Sequence, residues 1–217
     1  MALELDFEHG LAPAAWIDVQ SQATPAGITL EPGVAALSAR FDGSGAAIDI
    51  THVDRLPLAK ALTVELQVKA SNWKNPYAPG SALESIVSHS DDFSIAIQPS
   101  TWKYRADLRT TAGKIELNGG DVRFEAWQHV ALVLDDAEGL ARLYVDGRVV
   151  DQREVHGEVA LRPGIALRIG TWFSQNQAFC GSVDTLRIWQ RALSLAEIGD
   201  RGGKTPKGVR AVRDGQG

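Results

Sequence analysis

Apolar and polar residues alternate in short runs along most of the chain. The run from Leu62 to Ala70 shows the pattern clearly, with apolar residues at every second position: Leu62, Val64, Leu66 and Val68. Successive side chains of a β-strand point to opposite faces, so this run predicts a strand with one face in the core and one in solvent. Clusters of Gly, Pro, Asn and Asp separate the runs, as expected for turns.

Fourteen runs of this kind are predicted to be strands. In chain order they are Leu3–Phe7, Gly27–Leu30, Ala36–Phe41, Ala46–Ile50, Leu62–Ala70, Leu83–Ser88, Phe93–Gln98, Trp102–Arg109, Lys114–Leu117, Gln128–Leu134, Ala141–Val145, Arg148–Glu154, Ala166–Gly170 and Gly181–Trp189. Many short strands with closely spaced turn residues predict an all-β sandwich or jelly roll, and not a series of βαβ units.

Two local signals mark the connections near the C-terminal half of the chain. Asp146-Gly147 lies between two alternating runs and predicts a two-residue hairpin, because these residues adopt positive φ most easily. Ser194, followed by Glu197 three residues later, fits the capping box of a helix. Gly202-Gly203 limits that helix to one or two turns.

Length and charge narrow the classes of protein to which the chain can belong. The 217 residues are enough for one large domain, which we expect to span residues 1–202, with residues 203–217 as a linker or extension. The net charge of −5 is spread along the chain, which argues against nucleic acid as a partner. There is no stretch of about 18 apolar residues, so membrane insertion is not expected.

The single cysteine and the N-terminal segment complete the compositional picture. Cys180 has no second cysteine with which to form an intramolecular disulfide, and we expect it to be a small buried residue. The N-terminal MALELDFEHG is acidic and has no apolar core, so no signal peptide is expected in this sequence.

Three blocks of the sequence resemble laminin-G-like domains. Ala39–Ile50 is similar to the family pattern F-D-G-x-x-D-Y-V and leads into Leu62–Lys69, where the family reads F-T-V-E-A-W-V. Trp127–Ala131 and then Leu143–Gly147 are similar to W-x-H-V-A … L-Y-V-D-G. Phe179–Leu193 is similar to F-x-G-x-I-D-E-V-R-I-Y-N-R-A-L. The resemblance implies a concanavalin A-like jelly roll of two antiparallel sheets with one short C-terminal helix.

The chain departs from the family pattern in two places. In the strand Leu62–Lys69 the tryptophan of the family motif is replaced by Gln67 or its neighbours. The loop Ser71–Ala82 is longer than a hairpin requires. Both departures bear on ligand specificity and leave the predicted fold unchanged.

The resemblance also implies a calcium site, because members of this superfamily often hold the ion where the first and last strands meet. Carried onto this chain, the implied ligands are Asp6, Asp42, Gly43 and Asp184. Calcium takes six to eight oxygen ligands from carboxylates, carbonyls and water, and this set supplies such oxygens. Glu8 is the alternative to Asp6 as a calcium ligand in this set. In the alternative interpretation, Asp42 and Asp184 cap turns or pair with neighbouring arginines.

A set of aromatic and polar loop residues is the second candidate site. Flat rings stack on the apolar faces of sugars, while amides and carboxylates bind their hydroxyl groups. The residues expected to bind a ligand in this way are Trp73, Tyr77, Trp102, Tyr104, Trp172 and Asn176. The alternative for each of these aromatic side chains is packing within a large sandwich.

No catalytic residues are expected. Glycosidases that share this fold carry paired carboxylates on one strand, and the adjacent pairs Asp91-Asp92 and Asp135-Asp136 would point to opposite faces. We therefore expect a non-catalytic, lectin-like carbohydrate-binding module, calcium-dependent and extracellular or on the cell surface as part of a larger protein. The alternative is a protein–protein adhesion or structural assembly module. The expected partners are accordingly a glycan or a surface protein.

Overall fold

The computed structural model describes residues 3–8, 27–34, 36–51, 53, 60–71, 83–159, 161–173 and 177–202. The described residues form fourteen strands and one helix, arranged as two antiparallel sheets. The strands are β1 (Leu3–Leu5), β2 (Ile28–Pro32), β3 (Leu37–Asp42), β4 (Ile48–Ile50), β5 (Ala61–Ala70), β6 (Glu84–His89), β7 (Phe93–Gln98), β8 (Lys103–Thr110), β9 (Gly113–Asp121), β10 (Gln128–Asp135), β11 (Leu140–Val145), β12 (Arg148–Glu154), β13 (Leu167–Ile169) and β14 (Cys180–Trp189); the helix is α1 (Leu195–Gly202).

Each predicted strand corresponds to one strand of the structure, and the jelly-roll prediction is confirmed. One sheet has eight strands in the order β12-β11-β10-β5-β14-β3-β2, with β1 also paired to β14. The other has six strands in the order β4-β13-β6-β7-β8-β9. The first and last strands pair directly, with Leu3 opposite Ile188.

The core lies between the inner faces of the two sheets. The apolar residues predicted to face it from β5 are at most 1% exposed. The largest fully buried side chains are aromatic and include Tyr104, Phe7, Phe41, Phe93 and Phe179. The period-two pattern of the sequence therefore corresponds to the buried layer of the sandwich.

The first part of the second face of β5 is buried, which corrects the prediction that this face lies in solvent, whereas Gln67 and Lys69 farther along it are half-buried. Thr63 is 0% and Glu65 is 1% exposed. The segment before α1 covers Thr63, whose hydroxyl donates to the carbonyl of Arg191 (2.9 Å) and accepts from the N–H of Leu193 (3.0 Å). Strand alternation does not reveal this cover, because it comes from a distant part of the chain.

The predicted turn and the predicted cap are confirmed. Asp146 and Gly147 have φ values of +50° and +76°, and they connect β11 to β12. At the start of α1 the N–H of Glu197 donates to the Ser194 hydroxyl (3.3 Å), and the N–H of Ser194 donates to the Glu197 carboxylate (3.0 Å).

Cys180 is buried as predicted, at 1% exposed, and burial raises the pKa of its thiol. In the part of the chain that the structure covers, no helix has the length and apolar character needed to cross a membrane. The predicted extension, residues 203–217, lies outside the described residues.

Candidate functional site

The predicted ligand-binding residues have three different outcomes. Trp73, Tyr77 and Asn176 lie outside the described residues. Tyr104 is fully buried in β8, and its hydroxyl donates to the side-chain oxygen of Gln128 at 3.1 Å. Its placement in a ligand site is therefore corrected: the ring faces the core. Trp102 and Trp172 reach the surface.

Trp102 ends the turn between β7 and β8. Its N–H donates to the carbonyl of Gln98 at 2.8 Å, and its φ of +53° lies in a region that bulky residues rarely adopt. The ring packs edge-on against Phe124, with centroids 4.9 Å apart. The residue is 37% exposed, so the turn fixes the tryptophan ring at a position where part of it is accessible to solvent.

Trp172 follows β13 and packs edge-on against Phe173, with ring centroids 6.0 Å apart. The guanidinium of Arg168 lies 4.6 Å from the centre of the Phe173 ring. Two hydrogen bonds of 2.7 Å to Asp49 hold this guanidinium and raise its pKa. Trp172 is half-buried and Phe173 is 37% exposed, so both rings are supported from below and accessible from outside.

The strand register places these aromatic residues at the same end of the six-stranded sheet. β13 runs toward the start of β6, and the start of β6 pairs with the end of β7 through Glu84 and Ile97. Trp102 immediately precedes β8. β13 and β8 are three strand spacings apart, which is about 14 Å. We call Trp102, Trp172 and Phe173 the aromatic end.

A row of polar side chains crosses the outer face of the same sheet. From β4 to β9 the cross-strand partners are Asp49, Arg168, Ser88, Ser94, Asp107 and Glu116. The two serines in the centre are buried, and ion pairs occupy both flanks. On the β8–β9 side Arg105 binds Asp107 at 3.1 Å and Glu116 at 2.5 Å.

Three buried hydroxyl groups in or next to the six-stranded sheet have no hydrogen-bond partner in the described part of the chain. They belong to Ser85, Ser88 and Thr171. Ser85 and Ser88 are on β6, and Thr171 directly precedes Trp172. A buried hydroxyl that lacks a partner costs about 1–3 kcal/mol. Because these oxygens are buried, a water molecule enclosed beside each of them would supply the missing partner.

Glu84 gives this end of the sandwich a buried carboxyl group. Burial raises its pKa to about 7, although the backbone N–H of Cys180 donates a hydrogen bond that favours the ionised form. Glu84 lies on β6 and Cys180 on β14, so this bond also joins the two sheets.

The predicted calcium ligands do not come together as one site. Asp42 pairs with Cys180, four residues before Asp184 on β14, which separates the two carboxylates by about 13 Å along the strand. Gly43, next to Asp42, is buried with a φ of +86°. Among the described residues there is no group of three or more His, Cys, Asp or Glu side chains able to hold a metal.

Protein groups already bind each of these carboxylates. Asp42 accepts from the N–H of Ser44 at 2.8 Å, and Asp6 accepts from the N–H of Glu8 at 3.1 Å. Asp184, which is fully buried, accepts from the N–H of Val34 at 2.6 Å. The donor set as predicted therefore does not fit one calcium ion, and calcium binding stays a prediction from the resemblance.

A second polar site, which the sequence did not predict, is centred on Glu65. Its carboxylate lies 3.0 Å from Nε2 of His129, 2.9 Å from Nε1 of Trp189 and 2.9 Å from a guanidinium nitrogen of Arg201. Burial opposes the charge, but the hydrogen bonds from His129 and Trp189 and the charge of Arg201 hold the pKa of Glu65 below its usual value. Arg201 also stacks on Trp189 at 4.7 Å.

This network forms the floor and one wall of a cavity on the outer face of the eight-stranded sheet. The cavity has a volume of about 510 Å³ and lies between α1 and Val34, two residues after the end of β2. We call it the helix pocket. Its lining residues are Val34, Glu65, Gln67, His129, Thr185, Arg187, Glu197, Asp200 and Arg201.

Thr185 enters the helix pocket from a strained part of β14. The pairing of β14 with β5 is irregular between Asp184 and Arg187. Within this bulge Thr185 has a φ of +50°, which is rare for a β-branched residue. Such strain costs about 1–3 kcal/mol and is concentrated at functional sites.

The sequence contains a partial signal for the helix pocket. Glu65 and His129 are the glutamate and histidine of the family blocks F-T-V-E-A-W-V and W-x-H-V-A. The resemblance of these blocks implies the fold and assigns no site to either residue. Their contact depends on the pairing of β5 with β10 and on the cover by α1, which the motifs do not specify.

The fold is similar to that of several solved binding domains. Domain 4 of AbnA, an extracellular arabinanase from Geobacillus stearothermophilus solved with arabinotriose, is 17% identical with a TM-score of 0.62, covering 92% of this chain and 96% of that one. The CBM40 of the Ruminococcus gnavus IT-sialidase, bound to α2,3-sialyllactose, is 16% identical with a TM-score of 0.62, covering 76% and 96%.

The binding domain of botulinum neurotoxin serotype G is 10% identical with a TM-score of 0.71. The match covers 93% of this chain and 50% of that one, so the chain spans half the length of this toxin domain. At these identities the similarity concerns the fold.

A family model gives the assignment at the sequence level. The model is Laminin_G_3, described as the concanavalin A-like lectin/glucanases superfamily, and it matches residues 42–199, more than half of the chain. Its boundaries include the Asp146-Gly147 hairpin, the strand β14 and most of α1. The chain therefore belongs to the Laminin_G_3 family of the concanavalin A-like lectin/glucanases superfamily.

Proposed function

We propose that this chain is a non-catalytic carbohydrate-binding module that binds glycan at the aromatic end of its six-stranded sheet, outside the cell and as part of a larger protein. The observation that carries the proposal is the placement of Trp102, Trp172 and Phe173 at one end of a rigid sheet, each at least partly exposed. Aromatic rings fixed in this way stack on sugar rings at little entropic cost.

The groups around these rings support the same ligand class. The Arg168–Asp49 pair lies below Phe173 with the Asp49 side chain 41% exposed, and the hydroxyls of Ser85 and Thr171 lie beneath the surface near Trp172. A sugar presents apolar faces to rings and hydroxyl groups to such polar atoms. Two neighbours with this fold, from an arabinanase and a sialidase, were solved with oligosaccharides bound.

The ion pairs of the outer face support a binding role and not hydrolysis. Asp107 and Glu116 lie opposite each other on neighbouring strands, β8 and β9, and not on one strand as in the glycosidases that share this fold. Arg105 binds both of them. Glycoside hydrolysis requires one carboxyl of such a pair to be free to donate a proton.

A glycan array on the whole chain tests the proposal, with Trp102→Ala and Trp172→Ala as variants. Leu195→Ala is the matched control, because Leu195 is exposed and lies on α1, away from the aromatic end. We expect a defined set of glycans to bind the parent and the control and to lose signal with both variants. Absence of any glycan signal, with a protein captured in its place, would favour the adhesion module.

The array is measured with calcium and with EDTA, because calcium dependence is a separate prediction. Binding that persists in EDTA excludes a required ion. Binding that is lost in EDTA, together with a lower melting temperature, supports a bound calcium ion.

A further inference from the structure

We propose that the helix pocket is a second ligand site, which binds a small neutral polyhydroxylated molecule: a single sugar residue or a disaccharide. The site is on the outer face of the eight-stranded sheet, whereas the aromatic end belongs to the six-stranded sheet. The inference is thus independent of the function proposed above.

The pocket has the size and rigidity of a small-molecule site. Its volume of about 510 Å³ falls within the range of about 300–1,000 Å³ that such sites occupy. Three adjacent strands, β10, β5 and β14, form its floor, and α1 forms one wall. The Glu65 carboxylate fixes that wall, because it is 1% exposed and binds Arg201 of the helix.

Among the described contacts, every charged group of the lining except Asp200 is paired, so the pocket offers no free positive charge to an anionic ligand. The guanidinium of Arg187 donates to Glu4 at 2.6 Å, and that of Arg201 donates to Glu65 at 2.9 Å. Arg191 binds the Glu197 carboxylate at 2.6 Å. Neither a free anion nor a free cation therefore finds an unmatched opposite charge at these groups.

Besides the buried Nδ1 of His129, which also has no partner, two more accessible lining groups remain for hydrogen bonds to a ligand. Among the described contacts, the side-chain amide of Gln67 and the carboxylate of Asp200 have no hydrogen-bond or ion-pair partner. The amide donates and accepts, and the carboxylate accepts. Alternating donors and acceptors around a concave wall suit the hydroxyl groups of a sugar.

The position of Gln67 also explains why the pocket is open. In the family motif F-T-V-E-A-W-V, aligned on Glu65, Gln67 stands where the motif has tryptophan. An indole at this position would extend into the space that the pocket occupies. The strained backbone of Thr185 lies on the same floor and adds a second feature that packing alone does not require.

NMR titration of the isotope-labelled whole chain with L-arabinose, D-galactose and lactose tests the site directly. We expect at least one of these sugars to cause saturable shifts at the Gln67 side-chain amide and the Thr185 backbone N–H. The Gln67→Trp variant should abolish the shifts by filling the pocket, and it should fold because the family motif contains tryptophan there.

Asp200→Asn is the second variant and tests the site without filling it; we expect its affinity to fall severalfold. Gln152→Ala is the matched control, since Gln152 is exposed on β12 at the edge of the same sheet, and it should leave the shifts unchanged. The absence of saturable pocket shifts with all three sugars overturns the proposal, as do shifts that persist in Gln67→Trp.

Trp172→Ala separates this site from the aromatic end. Pocket shifts that remain in Trp172→Ala show that the two sites are independent. Pocket shifts that disappear with Trp172→Ala would contradict a separate site, because the pocket would then report binding elsewhere.

Discussion

Among single residues, Glu84 shows most directly how burial changes the pKa of a side chain. Folding removes its carboxyl group from water, leaves it 8% exposed and provides one backbone hydrogen bond, from Cys180. Its pKa rises from 4.5 to about 7, so the folded state holds this proton more tightly than the unfolded chain. Above pH 7 the buried carboxylate therefore destabilises the fold, by roughly 3 kcal/mol.

Replacing Glu84 by glutamine removes this cost. The amide keeps an acceptor for the Cys180 N–H and has no charge to bury. We expect Glu84→Gln to raise the free energy of unfolding at pH 8 by roughly 1–3 kcal/mol and to leave it nearly unchanged at pH 5. Urea unfolding at both values of pH measures the effect. Glu154→Gln, at an exposed position of β12, is the control, and an equal gain there would contradict the account.

The sequence predicted some of these side chains correctly and misplaced others. Trp102 and Trp172 reach the surface, as expected for residues beside loops. Tyr104 was placed with them, although it shares its strand face with Ala106 and Leu108, both fully buried. The alternation within Trp102–Arg109 therefore contained the information that Tyr104 points into the core, whereas the partners of Glu84 and Glu65 depend on contacts between distant strands.

At the scale of elements, α1 closes the outer face of the eight-stranded sheet. Its capping box fixes the first turn, and the bond from Arg201 to Glu65 holds the last turn against β5. The helix was predicted from Ser194 and Glu197, but its position over the sheet was not. The eight residues of the helix carry no pattern that predicts the contact of Arg201 with Glu65.

Loss of the cap gives a test of this element. In Ser194→Ala the N–H of Glu197 loses its acceptor, and we expect the free energy of unfolding to fall by about 1 kcal/mol. Faster hydrogen exchange of the α1 amides should accompany the change. Ser100→Ala, in the exposed turn before Trp102, serves as the control. A cap variant with unchanged stability and exchange would contradict the stabilising role assigned to the cap.

For the whole molecule, the carboxyl groups with shifted pKa values predict how stability depends on pH. The raised pKa of Glu84 means that stability falls as the pH increases from about 4.5 to about 7. The pKa values of Glu65 and Glu31 are lowered despite burial, by hydrogen bonds and neighbouring positive charges, so their contribution is present above 4.5 and is lost as the pH decreases below it.

We therefore expect maximal stability at a mildly acidic pH, near 5, with lower values at pH 3 and at pH 8. Thermal unfolding across this range measures the profile. In Glu84→Gln the decline on the alkaline side should become smaller, while the decline on the acidic side should be retained. A parent protein whose stability increases steadily from pH 5 to pH 8 would contradict the role assigned to Glu84.

The architecture could be predicted from the sequence because it depends on local patterns. The sites could not be predicted, because they depend on which residues pair across neighbouring strands. Alternation and turn residues identified the strands, and three sequence blocks identified the family. The calcium ligands carried over from the resemblance failed to assemble, since the pairing of β14 with β3 places Asp42 opposite Cys180 and away from Asp184.

Isothermal titration of the glycan that gives the strongest array signal, against the parent and Trp172→Ala, tests the central claim most directly. If the aromatic end binds glycan, the affinity of the variant falls at least tenfold, which is about 1.4 kcal/mol, while its melting temperature stays within a few degrees of the parent. Equal affinity of the two proteins for that glycan would contradict glycan binding at the aromatic end.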